Sequence, residues 1–282
     1  MPYSASVTMN EVIPVFDSVA EHLSAKLQLF QTDERTLTDE LCDMSCIWIG
    51  NPSPVSTARG FPPTTFDLDI RKTTPREERR IGADLEVVLM TPSGLKRALF
   101  QAKVVNPNAP PLRLNTPGAW AKLRQQLIAM RANCPLSYLL LYLPGNELDG
   151  RPQGYGTYEQ GFLGATPGNK SSRFGATAIT VDALLNGANR WVHPNKLAYV
   201  AGSGGFLPVG KSFTCILLEL ITCATGTWTR DKRILEEDSL SAYRRLAFSV
   251  SAVDESRWEE TCRIARSFLR EVLDDVEFHG AT

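Results

Sequence analysis

The chain has 282 residues, enough for one large domain or two small ones. It is 43% hydrophobic and 22% charged, an ordinary globular balance that excludes fibrous and low-complexity classes. Its 30 Lys and Arg face 31 Asp and Glu, so total charge does not advertise a nucleic-acid partner, although it leaves room for a local basic groove.

The opening stretch, "MPYSASVTMNEVIPVF", has neither a basic n-region nor a long apolar h-region, so no signal peptide is expected. The longest apolar run, from Phe213, is interrupted by Glu219 and falls short of the roughly 18 residues a membrane span needs. The expectation is a cytoplasmic protein with no membrane partner. The 6 cysteines form no CxxC pair, and reduced thiols are expected. Cys42 and Cys46 lie one helical turn apart, yet no second pair or histidine cluster completes a zinc site. His22, His193 and His279 are too scattered to suggest a histidine-centred triad.

In chain order, residues 9–31 place Val12, Val15, Phe16, Val19, Leu23, Leu27 and Phe30 at helical spacing. A second helix is predicted over 36–46, with Leu37, Leu41 and Met44 on one face and Glu40 beside them. "GNPSPVSTARGFPP" reads as a loop. "TFDLDIRK" (65–72) alternates like a half-buried strand. "LEVVLMT" (85–91), the turn "PSG" (92–94) and "KRALFQAKVV" (96–105) make a hairpin. "AWAKLRQQLIAMRAN" (119–133) is a helix, and "LSYLLLYLP" (136–144) a buried strand.

Beyond that, 145–176 reads as a Gly-rich loop, "AITVDALLNGANRWV" as a short strand plus helix, and "KLAYVAG" as a strand. "SFTCILLELITC" is a helix or a strand. A final helix is predicted over 254–276, with Trp258 and Cys262 on its apolar side. The division expected is 1–145 and 146–282, the second part serving substrate choice, oligomerisation or regulation.

Inside the hairpin stand residues that buried strands seldom carry. Gln101 and Lys103 are two apart, so they share a face, while Ala102 points the other way. The pairing of the strands brings Asp84 to them, and Gly82 beside it leaves room for a close approach. Glu40, on the preceding helix, leans over the same spot. Such a set can hold Mg²⁺ through oxygen: the carboxylates of Asp84 and Glu40, the amide oxygen of Gln101 and the main-chain carbonyl of Ala102. Lys103 would sit beside an attacking water or the developing charge on a phosphorane.

"GAD…QAK", with an acid on a preceding helix, resembles the PD-(D/E)XK nuclease superfamily. It is most similar to the Mrr-like branch, where QxK replaces ExK, and to endonuclease domains of bacterial anti-phage effectors. The resemblance covers about 100 residues. It implies an α/β, restriction-endonuclease-like core (helix, three strands, helix, strand) over 36–144, with a mixed α/β C-terminal extension. It also implies a Mg²⁺- or Mn²⁺-dependent endonuclease acting on DNA rather than RNA, in defence against foreign DNA. Asp84 would be a metal ligand, Gln101 the second motif residue, Lys103 the catalytic lysine and Glu40 the helix-borne acid. Glu78 or Glu77, and Gln125 or Gln126, would be accessory. A duplex break needs two centres, so a homodimer fits the activity, and a regulatory partner or activator is compatible with it.

Two further readings stand beside this one. "GFLPVGKS" (205–212) matches G-x-x-x-x-G-K-[ST], with Lys211 and Ser212 as phosphate and Mg²⁺ residues of a nucleotide-hydrolysing protein and Asp254 in a poor second motif. Against it, Phe206, Leu207 and Pro208 are bulky where a phosphate loop needs small residues. The other alternative is a nuclease-fold interaction module without catalysis. "REERR" (76–80) and "RDKR" (230–233) are solvated charge or contacts to DNA phosphates.

Overall fold

Two residues, Pro92 and Ser93, close the turn of the central hairpin, and Gly94 follows with a φ of 138°, a conformation that side-chain-bearing residues rarely adopt. This hairpin joins β3 (Ala83–Thr91) to β4 (Gly94–Val104). A computed structural model describes residues 3–49, 65–72, 83–104, 117–143, 175–186, 211–221, 242–250 and 255–264. Before the hairpin come β1 (Tyr3–Thr8), α1 (Met9–Leu29), α2 (Glu34–Ile49) and β2 (Thr65–Lys72). After it come α3 (Pro117–Asn133), β5 (Ser137–Tyr142), β6 (Ala176–Thr180), α4 (Val181–Asn186), β7 (Lys211–Ser212), α5 (Phe213–Ile221) and β8 (Ala242–Val250). A last helix, α6, covers 255–264.

The protein is α/β, and its described residues build one 8-stranded sheet in the order β1-β2-β8-β3-β4-β5-β6-β7. Two neighbouring pairs, β3 with β8 and β4 with β5, are parallel, and the others are antiparallel. The expected order of helix, three strands, helix and strand is present as α2, β2, β3, β4, α3 and β5.

Two arrangements join distant parts of the sequence. β2 does not neighbour β3, because β8 from the far end of the chain lies between them. The sheet also does not divide at 145: β6, β7 and β8 complete the sheet that β1 to β5 begin. The physical reason is burial. The apolar face of β8 (Leu246, Phe248) shares one core with Phe16 of α1, Leu68 of β2 and Leu217 of α5. Phe213 of α5 meets Phe16 and Phe100 edge-on at 5.8 and 5.3 Å, tying the two halves of the sequence together.

Charge on the central strands is met locally. Glu86, fully buried on β3, accepts from Arg97 of β4 and from Arg245 of β8, the latter at 2.6 Å. On β8, Arg244 reaches Asp39 and Asp43 of α2. These pairs explain how a strand reading "AYRRLAFSV" occupies the middle of a sheet.

Candidate active site at the β3–β4 fork

The ladder between β3 and β4 runs from Thr91↔Gly94 to Leu85↔Phe100 and goes no further. One residue on, the side chain of Asp84 enters the gap. Its Oδ2 accepts the main-chain N–H of Ala102 at 2.7 Å and an N–H of the Gln101 amide. A strand residue's N–H and C=O leave on the same side. The Ala102 carbonyl therefore also faces the fork, and the Gln101 amide nitrogen lies 3.4 Å from it.

Asp84 and Gln101 are 7% and 3% exposed, so the fork is largely desolvated. Gln101 Oε1 is buried with no hydrogen-bond partner. A buried amide oxygen left unpaired costs about 1–3 kcal/mol unless something else binds it. The same amide turns its nitrogen, not this oxygen, toward the Asp84 carboxylate and the Ala102 carbonyl, so a half-turn of the amide would bring Oε1 beside both. Three hard oxygen donors of this kind suit Mg²⁺ or Mn²⁺, with waters and substrate phosphate filling the remaining positions. Among the described residues, no three His, Cys, Asp or Glu side chains form a metal-ligating group. The candidate donor set is thus one carboxylate with two neutral oxygens.

Lys103 follows Gln101 by two residues, and its Nζ lies 3.7 Å from Oε1 of Glu34. Glu34 begins α2. It was not among the residues singled out from the sequence, although it sits three before Leu37 and so shares that buried face. Glu40 is not brought to the fork. Its carboxylate pairs with Lys26 of α1, and His22 lies 3.9 Å away. At about 100° per residue, six residues turn Glu40 roughly 120° from Glu34, which sends one acid toward β4 and the other toward α1.

On α3, Leu123, Leu127 and Met130 point inward, and Met130 packs against Leu99 and Ala83 beside the fork. Gln125 lies on the exposed side of this helix. Gln126 is half-buried and shares the stripe of Leu123 and Met130, so it is the better placed of the two glutamines. Glu77 and Glu78 fall outside the described residues, as do both basic clusters at 76–80 and 230–233.

The second sequence motif is placed only at its end, since 205–210 lie outside the described residues. Lys211 and Ser212 form the edge strand β7, paired with β6. Lys211 is ion-paired with Glu219 of α5. The Ser212 hydroxyl is fully buried and accepts the Cys215 N–H at 3.1 Å, capping α5. A phosphate-binding serine would need that hydroxyl facing a ligand. Asp254 lies outside the described residues.

No protein-family model, no curated protein and no solved structure matches the chain. No described helix is long and apolar enough to cross a membrane.

Proposed function

We propose that this protein is a Mg²⁺- or Mn²⁺-dependent endonuclease that hydrolyses phosphodiester bonds of DNA, on a restriction-endonuclease-like core. The observation that carries the reading is the unpartnered, buried Oε1 of Gln101, on an amide whose nitrogen meets the Asp84 carboxylate in the fork. The bound ion would supply Lewis-acid stabilisation at the scissile phosphate and acidify a water. Asp84, the Ala102 carbonyl and, once its amide turns over, Gln101 Oε1 would hold it.

The chain's own residues supply the rest. The hydrogen bond from the Ala102 main chain fixes the Asp84 carboxylate before substrate arrives. Lys103 would place its ammonium near the attacking water and the phosphoryl oxygens. Glu34 takes the part of helix-borne acid that Glu40 was expected to fill, because Glu34 is the α2 carboxylate beside Lys103. A duplex break would need two such centres, which favours a homodimer on the substrate.

The test is plasmid cleavage by wild type and Lys103→Ala in Mg²⁺, Mn²⁺ and EDTA. Wild type should cut only with metal, and the variant should not cut while keeping its fold by circular dichroism. Metal-independent cutting, or full activity of the variant, would remove the fork from the mechanism.

A further inference from the structure

The first turn of α2 is tied to the sheet by a short chain of hydrogen bonds that no part of the proposed chemistry uses. Tyr142, at the end of β5, is fully buried, and its hydroxyl lies 3.0 Å from Oγ1 of Thr38, also fully buried. Thr38 Oγ1 donates its proton to the main-chain carbonyl of Glu34 at 2.8 Å. A threonine hydroxyl has one proton, so Tyr142 must be the donor of the first bond. Burial holds the Tyr142 phenol well above its ordinary range, so that proton stays in place. The chain thus runs from the Tyr142 hydroxyl through Thr38 to the backbone of Glu34, whose carboxylate stands against Lys103. Lys103 and Tyr142 sit on adjacent strands one rung apart, since Lys103 pairs with Leu141 and Val104 with Tyr142.

We propose that Tyr142 is a positioning residue: acting through Thr38, it sets the first turn of α2 so that Glu34 holds the Lys103 ammonium at the fork. The proposal rests on the nuclease reading for its functional meaning, but the placement of Lys103 is measurable without cleavage. Packing alone would bury an apolar residue at 142 equally well. A phenol whose hydroxyl meets one threonine, and a threonine whose proton meets the backbone of the lysine's partner, serve register rather than burial.

The experiment uses the full chain as wild type, Tyr142→Phe, Thr38→Val and Thr38→Ser. Each lysine is acylated by a limiting amine reagent and quantified by mass spectrometry, with Lys26 and Lys122 as references, and kcat and KM for plasmid cleavage are measured alongside. In Tyr142→Phe and Thr38→Val, Lys103 should be labelled about three- to fivefold faster, the loss of one partly exposed ion pair, with the references unchanged. The kcat should fall about tenfold with KM nearly constant, as a misplaced group does. Thr38→Ser, which keeps the hydroxyl, should restore both.

Unchanged Lys103 labelling in the hydroxyl-lacking variants overturns the proposal, as does a uniform rise at every lysine or failure of the serine to rescue. If Tyr142→Phe does not fold, the Thr38 pair decides. If Lys103 labelling responds as expected while wild type cuts nothing, the positioning stands and the nuclease reading fails.

Discussion

Asp84 on β3 accepts the main-chain N–H of Ala102 on β4 at 2.7 Å, across the gap where the two strands part. A side chain here stands in for the next rung of the ladder. The carboxylate is fixed by the backbone, and the carbonyl that a regular ladder would have engaged stays turned toward the fork. Strand divergence, carboxylate placement and the free amide oxygen of Gln101 are one structural event. It sets up the first prediction.

Gln101→Glu should make stability depend on metal. Its new carboxylate would lie beside Asp84, replacing a donated hydrogen bond with like-charge repulsion in a desolvated gap. In EDTA the variant should lose about 2 kcal/mol. Added Mg²⁺ should restore it in proportion to occupancy, so the Tm shift with Mg²⁺ exceeds that of wild type. Thermal melts over a Mg²⁺ titration measure this, and equal shifts in both proteins would count against a metal between the two side chains.

The two glutamates of α2 should separate cleanly. Glu34→Gln should lower cleavage about tenfold, since it releases Lys103 from its partner. Glu40→Gln should leave cleavage within twofold, at a stability cost under about 1 kcal/mol, because the Lys26–Glu40 pair is partly exposed. Parallel kinetics and urea melts of the two variants check both statements, and a reversed order would restore Glu40 to the site.

Glu86→Gln should be among the most damaging single changes in the sheet. Its carboxylate is fully buried between Arg97 and Arg245, and its loss leaves two guanidinium groups facing a neutral amide. Breaking a buried pair in this way costs about 3–5 kcal/mol. Urea unfolding followed by fluorescence gives the value, and a loss under about 1 kcal/mol would mean that water or another acid compensates.

Asp33 should make α2 sensitive to acid. It caps the helix, accepting the Thr36 N–H at 2.9 Å, and that bond is the main reason its carboxyl lies below its ordinary value of 3.8. A depressed carboxylate stabilises fully above its unfolded pKa and loses that contribution as pH falls through the lower, folded value. Asp33→Ala should therefore cost about 1 kcal/mol at neutral pH, and the gap from wild type should close below pH 3.8. A gap that stays constant down through acid would assign the effect to something other than the carboxylate.

How far residue order alone reaches is clearest along the hairpin. The period of two, the Pro-Ser-Gly turn and the pair Gln101 and Lys103 are properties of neighbours in the chain. They determined the β3–β4 pairing and the meeting of Asp84 with Gln101, which needs no contact beyond it. The helices before and after it, and the short strand and helix at 176–186, were legible for the same reason. The spacing of apolar residues is a local record of which side is buried.

Tertiary structure alone decided the rest. The edge strand at Tyr3–Thr8 carries mostly small and polar residues, so its pairing with β2 left little trace in the sequence. β8 inserts between β2 and β3 because its apolar face joins the common core, and its two arginines find carboxylates there on α2 and β3, partners about 160 to 200 residues away. On α2, Leu37 and Leu41 define a buried face broad enough to admit either Glu34 or Glu40 to the fork. Which acid arrives is set by rotation about the helix axis. Lys26 of α1 holds one flank through Glu40, and Arg244 of β8 holds the other through Asp39 and Asp43. Those contacts exist only once distant strands and helices have met, so periodicity could narrow the choice of acid but could not make it.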